Sequence, residues 1–170
     1  VVNCSMELGG NAPFIVLEDA DMAVAVDSAM VAKMRNAGES CIGANRFYVH
    51  HTRAEEFASS LAHAMSTLVL GDGMKEGVDV GPLVNASTIN KVEQLVDQAV
   101  ELGAKVLTGG SRSAAPGLFY QPTVFVAIPK HADILREAIF GPVAPIVTFP
   151  SQDELIAAAN APIFVLAAYV

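Results

Sequence analysis

Short apolar runs alternate with amphipathic helical stretches along the whole of this chain, and that alternation restricts it to one class of architecture. Asn11–Leu17, Arg46–His50, Lys105–Thr108, Thr123–Ile128 and Ala144–Phe149 are strand-length and rich in β-branched or aromatic residues. Between them, apolar residues fall at helical spacing: Met22, Val26, Met30 and Met34 after the cap candidates Asp19 and Asp21, then Phe57, Leu61, Ala64 and Leu68 within 53–68. Ile89, Val92, Val96 and Val100 repeat the pattern within 86–102. A short helix suits 131–137, and Ser151-Gln-Asp-Glu154 is a capping box for a last helix through Asn160. Strands that alternate with helices pair in parallel and need both faces covered. The pattern therefore predicts an α/β domain, a mostly parallel sheet forming the middle of three layers with helices on both faces. Phe164–Val170 reads as a further buried strand.

The punctuation agrees with this division. Lys33 and Arg35 fall in the last turn of the first helix, where cations suit the helix dipole, and Gly38 offers a stop. Gly103 closes the 86–102 helix in the same way. Gly71-Asp-Gly73 and Gly77–Pro82 punctuate a long connection that lacks a phosphate-binding fingerprint. Asn85-Ala-Ser87 matches a glycosylation sequon without a secretory signal beside it.

At 170 residues the chain fits one domain with a real core. It is 52% apolar and 16% charged, yet no run approaches the roughly 18 apolar residues of a membrane span. The surplus implies buried strands or a surface covered by another domain or a second copy, as in a homo-oligomer. A net charge of −8 without a basic stripe excludes nucleic acid as a partner. Cys4 and Cys41 form neither a zinc spacing nor a disulfide framework, which points to a reducing, cytoplasmic setting and no metal. Both ends start and stop in apolar sequence, as a fragment of a longer protein would.

Cys41 follows Asn36-Ala-Gly-Glu-Ser40, a glycine-broken segment between a helix and a strand. A thiol there is held still and open to a ligand, although free cysteine also serves as a small buried hydrophobe. A nucleophilic cysteine needs a base or a depressed pKa. Histidines 50, 51, 63 and 131 sit in no recognisable signature. Glu7, between apolar residues and Gly9-Gly10, is the better proton acceptor, because partial burial raises a carboxyl toward neutrality. An exposed carboxylate at the start of a strand is the other reading of Glu7.

Met6-Glu-Leu-Gly-Gly-Asn-Ala-Pro-Phe-Ile-Val16 followed by Arg35-Asn-Ala-Gly-Glu-Ser-Cys41 resembles the aldehyde dehydrogenase superfamily. Asn45-Arg46-Phe47, Gly81-Pro82-Leu83, Tyr120-Gln-Pro-Thr123 and Ile139-Phe-Gly-Pro-Val143 extend the resemblance almost end to end. It implies that residues 1–170 are the catalytic, thiol-bearing domain, with the nucleotide-binding domain outside this sequence and the isolated chain inactive as a dehydrogenase. It further implies Cys41 as nucleophile toward a small-molecule aldehyde and Glu7 as the base that activates the deacylating water. NAD or NADP is the implied hydride acceptor, with Phe140 and Leu8 beside it. Arg35 before the cysteine turn is similar to succinate-semialdehyde dehydrogenases, where it implies a fork for the substrate's distal carboxylate. A solvent-facing arginine at a helix end is its plain alternative.

Three positions depart from the family pattern. Ala138 stands where the family has a ribose-binding glutamate, Val165 replaces a glycine, and Gly43 stands where many such enzymes carry a second cysteine. Glu137 is adjacent to Ala138, but a shift of one residue in extended chain turns a side chain to the opposite face. An aldehyde dehydrogenase and a non-enzymatic binding or assembly module both remain open at this point, as does hydrolysis of activated esters by Cys41 and Glu7 alone.

Overall fold

The computed structural model describes residues 2–6, 8–161 and 164–170. Strands β1 (Ala12–Val16), β2 (Ala44–His50), β3 (Lys105–Thr108), β4 (Thr123–Val126) and β5 (Val143–Phe149) form one sheet in the order β1-β2-β5-β4-β3. β1, β2, β5 and β4 run parallel, while the edge strand β3 is antiparallel to β4. β2 and β5 lie in the interior of the sheet and are almost wholly buried; the β5 sequence is near-continuously apolar, whereas β2 also buries Asn45 and Arg46. Pro145 is tolerated in this central position because pairing with β2 begins one residue later, at Phe47 opposite Ile146.

Helices α1 (Met22–Met34) and α2 (Ala54–Ser66) cover one face, packing Ala29, Phe57, Leu61 and Met65 against Phe14, Val16, Phe47, Val49 and Ile146. Phe14, Phe47 and Phe57 meet at ring separations of 5.3–6.3 Å. On the other face, α3 (Ala86–Glu101) packs Ile89, Val92 and Val96 against Phe125 and Val143, and α4 (Gln152–Ala159) packs Leu155 against Tyr48 and Phe149. The three-layer α/β class is thus the observed one. No helix among the described residues is long and apolar enough to cross a membrane.

Two of the caps, Asp21 and Ser151, are those that the sequence offers, and Asn85 is a third that it did not show. Asp21 accepts from the Val24 amide, Asn85 from Thr88 and Ser151 from Glu154. Asn85 is also bonded by the Ser87 and Thr88 hydroxyls, so the sequon match belongs to a helix cap. Elsewhere the sequence reading needs correction. Val100 is 43% exposed, because α3 buries the stripe through Leu95 and Ala99 instead. Phe164–Val170 is not a buried strand. It lies along β1 through a bridge between Phe14 and Tyr169, and Phe164 is 74% exposed.

Lys33 is the largest correction. Instead of facing solvent at the end of α1, it is fully buried and donates to Asn45 Oδ1 at 2.9 Å. α1 carries apolar residues on all sides, Val24 and Val31 being exposed, so its sequence does not show which face turns inward. Burial pushes the Lys33 ammonium from an ordinary 10.5 down to about 7. Between those values the unfolded chain holds a proton that the folded chain has lost, so Lys33 makes stability rise with pH across this window. Below about 7 both states carry the charge and the cost of burying it is fully present.

After Met34 the chain enters a single 3-10 turn, Arg35–Gly38, in which Asn36 and Ala37 already take left-handed φ of 51° and 54°. α1 has therefore ended before Gly38. The glycine, at φ 81°, serves close approach: a Cβ there would stand 2.1 Å from the Gly141 carbonyl oxygen.

Two outcomes follow from these features. Relative to Lys33→Met, the wild-type protein should gain unfolding free energy with rising pH, by up to about 1.4 kcal/mol per pH unit from about 7 to about 10. Denaturant titrations across pH check this, and a constant difference would show that no buried ammonium is titrating. Gly38→Ala should cost at least about 1–3 kcal/mol. Gly73→Ala, with no atom within 4 Å of the added Cβ, should stay within about 0.5 kcal/mol in the same unfolding measurement.

Candidate active site

Cys41 sits in a tight turn closed by the Gly43 amide donating to the Ser40 carbonyl at 3.0 Å, with β2 starting at the next residue. The thiol is free and half-buried, whereas Cys4 is exposed. Among the described residues the Cys41 amide has no internal hydrogen-bond acceptor, which leaves it to donate to a developing oxyanion.

Several bonds fix the turn. The Asn36 amide side chain donates to the Glu39 carbonyl at 3.0 Å, and Glu39 Oε1 accepts from the Val84 amide at 3.0 Å. Tyr169 Oη donates to the Ile42 carbonyl at 2.7 Å, tying the turn to the segment along β1. Beneath it lies the Lys33–Asn45 pair. Glu39, Lys33, Asn45 and Tyr169 were not legible as site residues. Their side chains reach the turn from separate elements, and only the close of the fold brings them there.

Of the residues expected at the site, two lie against the cysteine turn. Arg35 lines a cavity of about 480 Å³ with Asp27, Ser28, Val31, Ala32, Ser40, Ile42 and Tyr169. Ser40 and Ile42 flank Cys41 in sequence, so this cavity opens beside the cysteine turn, although Cys41 itself does not line it. The exposed Arg35 guanidinium makes no hydrogen bond or ion pair among the described residues, so its donors are free for a ligand. Phe140, half-buried, takes a left-handed φ of 53° immediately before Gly141, whose carbonyl meets Gly38. The Phe140 turn and the cysteine turn are therefore in backbone contact, and both hold non-glycine residues in strained conformations. Leu8 is 67% exposed. Glu7 lies outside the described residues.

The departure at Ala138 has a clear spatial form. Ala138 lines a second cavity, of about 710 Å³, with Gly9, Gly10 and Phe164 on its wall. Glu137 turns away and pairs with Lys91 of α3 at 3.2 Å. No carboxylate replaces the missing one from that neighbour.

Arg46 also lines the larger cavity, but its guanidinium is spent. It donates to the Asn11 carbonyl, Tyr48 Oη and the Ala158 and Ala159 carbonyls at the end of α4. Desolvation lowers its pKa, and these acceptors satisfy it without a carboxylate. No histidine lines the cavity beside Cys41; His50 is held by Thr52, and His51, His63 and His131 are exposed. No cluster of three metal-ligating side chains occurs among the described residues.

The aldehyde dehydrogenase family model matches residues 1–170. The chain is 50% identical to a succinate-semialdehyde dehydrogenase of Paenarthrobacter nicotinovorans over 100% of its own length and 38% of that protein. It is 47% identical to a 3-sulfolactaldehyde dehydrogenase of Pseudomonas putida, over 99% of the chain and 35% of the relative. The crystal structure of succinate-semialdehyde dehydrogenase from Burkholderia pseudomallei superposes with a TM-score of 0.94 at 44% identity, over 97% of this chain and 34% of that one. The chain thus spans little more than a third of the length of the curated relatives it matches. Over all of its 170 residues, it belongs to the aldehyde dehydrogenase family.

Proposed function

We propose that this chain is the thiol-bearing catalytic part of an NAD(P)-dependent aldehyde dehydrogenase whose substrate carries an anion at its far end. The observation that carries this reading is the contact of two strained turns, Gly38 on Gly141, which puts the Cys41 turn beside Phe140. The cavity that holds Arg35 opens on the other side of the same turn. Nucleophile, cofactor-facing aromatic and anion-binding fork then converge on one short segment.

In this mechanism the Cys41 thiolate adds to the aldehyde carbonyl and forms a thiohemiacetal, whose oxyanion is held by the Cys41 amide. A bound NAD(P)+ supplies the hydride acceptor. The residues present fit its nicotinamide end on the apolar side, through half-buried Phe140 and exposed Leu8. They offer no acceptor for a ribose hydroxyl at Ala138, and Glu137 is committed to Lys91. The thioester left on Cys41 is hydrolysed by water that gives its proton to Glu7. Glu7 has this role from its place in the Glu-Leu-Gly-Gly motif. In this reading a nucleotide-binding domain lies outside residues 1–170.

The substrate class rests on Arg35. The substrates in the two relatives' names share an aldehyde at one end and an anion at the other, carboxylate or sulfonate. A guanidinium with unspent donors, in a small cavity beside the cysteine turn, suits either anion. Succinate semialdehyde is the substrate we favour, from the arginine–cysteine motif. Asp27 lines the same cavity, so an anion bound there has to lie closer to Arg35 than to Asp27.

In the full-length protein, Cys41→Ala should abolish turnover. Glu7→Gln should leave a burst of reduced cofactor and slow only the steady state, since acylation precedes the water step. Stopped-flow absorbance separates the two, and a Glu7→Gln enzyme without a burst would remove the deacylating role. Arg35→Ala should lower kcat/KM for succinate semialdehyde roughly ten- to a hundred-fold more than for an uncharged aldehyde of equal length, the range for about 1.5–3 kcal/mol in a charge-assisted bond. Equal losses for both aldehydes would mean that Arg35 supports only the turn.

A further inference from the structure

Lys33 and Asn45 take no part in the chemistry just described, yet they stand at the two ends of the segment that presents Cys41. Lys33 leaves the last turn of α1, and Asn45 is the second residue of β2. Both are buried, at 0% and 1% exposure, and their side chains meet at 2.9 Å. Everything between them is the strained turn Arg35–Gly38 and the Ser40–Gly43 turn. The aliphatic stem of Lys33 also runs past Gly38, its Cε 3.3 Å from where a Cβ would stand, on the same side of the residue that meets the Gly141 carbonyl.

A buried ammonium with one acceptor among the described residues is a poor way to stabilise a core. A pair of apolar side chains of similar size would fold at least as well. What a hydrogen bond adds over apolar contact is direction and register: it closes only at one separation of the end of α1 from the start of β2. That separation sets the span available to the cysteine segment.

We infer that Lys33 and Asn45 are positioning residues, a clamp joining α1 to β2 that fixes where the Cys41 thiol stands relative to Phe140 and the Arg35 cavity. The inference rests on Cys41 being the nucleophile. The clamp acts through the backbone at both ends of the loop and touches no reacting atom.

The test uses the full-length protein with Lys33→Met, Asn45→Leu and the double variant. Two quantities are read on folded protein: kcat and KM for aldehyde oxidation, and the rate of Cys41 alkylation by iodoacetamide, measured by peptide mass spectrometry with exposed Cys4 as internal reference. The clamp predicts that kcat falls at least about tenfold, as displacement of a reacting group by a fraction of an ångström to an ångström does, with KM little changed. It also predicts a several-fold change in the Cys41 rate relative to Cys4. Each single variant leaves one buried polar group without its partner and is the one at risk of misfolding. The double variant removes both groups and carries the test if a single variant does not fold. A folded double variant with wild-type kcat and a wild-type Cys41 alkylation rate overturns the clamp and leaves the pair a feature of the core. The alkylation readout needs no turnover, so it decides the clamp even if Cys41→Ala were to retain activity and end the nucleophile reading.

Discussion

The contact of Gly38 with Gly141 is the constraint on which the rest of the site depends. A side chain at position 38 would overlap the Gly141 carbonyl, and one at 141 would overlap Val92 of α3. Two chain segments distant in sequence are thereby brought to backbone contact, a distance that no pair of side chains could bridge. The first segment leads to Cys41 and the second carries Phe140. Left-handed conformations at Asn36, Ala37 and Phe140 hold both in place. Such strain persists only because α1, β2, α3 and β5 anchor the segments' ends in a packed core.

Two cations are buried near this contact, and their contrast is instructive. Arg46 finds carbonyl and hydroxyl acceptors for its planar fork and closes the end of α4 against β1. Its burial is satisfied, and it acts as a structural rivet. Lys33 has the Asn45 side-chain carbonyl oxygen as its acceptor among the described residues, and burial lowers its pKa to about 7. Guanidinium tolerates desolvation better than ammonium because its charge is spread over five donors. The less satisfied cation is the one under the reactive turn, which is where a costly group is most readily explained by position.

Function divides along the same line between what a family shares and what one chain has. Membership in the aldehyde dehydrogenase family covers every residue. The arrangement of Arg35 beside Ser40 and Ile42 is a property of this cavity. Ala138 is a property of this chain as well: a methyl faces the larger cavity, and the neighbouring Glu137 serves α3.

The amino-acid sequence by itself determined the class of fold and the family to which the chain belongs. Strand and helix order, the caps at Asp21 and Ser151, and the spacing of Arg35 from Cys41 are local properties, set by periodicity and by hydrogen bonds within a few residues. Its account of Glu137 and Ala138 as facing different ways agrees with the structure, although Glu137 sits in a bend after the 3-10 turn Asp133–Leu135 and not in extended chain. Only the tertiary structure decided which side of α1 faces inward, and so that Lys33 is a buried partner of Asn45 and not a dipole cation. It alone decided that α3 turns Val100 outward, that the run after Phe164 lies along β1 largely exposed, and that β5 inserts between β2 and β4. The reason is common to all of these: burial and strand order are set by competition among distant elements for the same surface. A helix apolar on every side carries no record of which surface it will win.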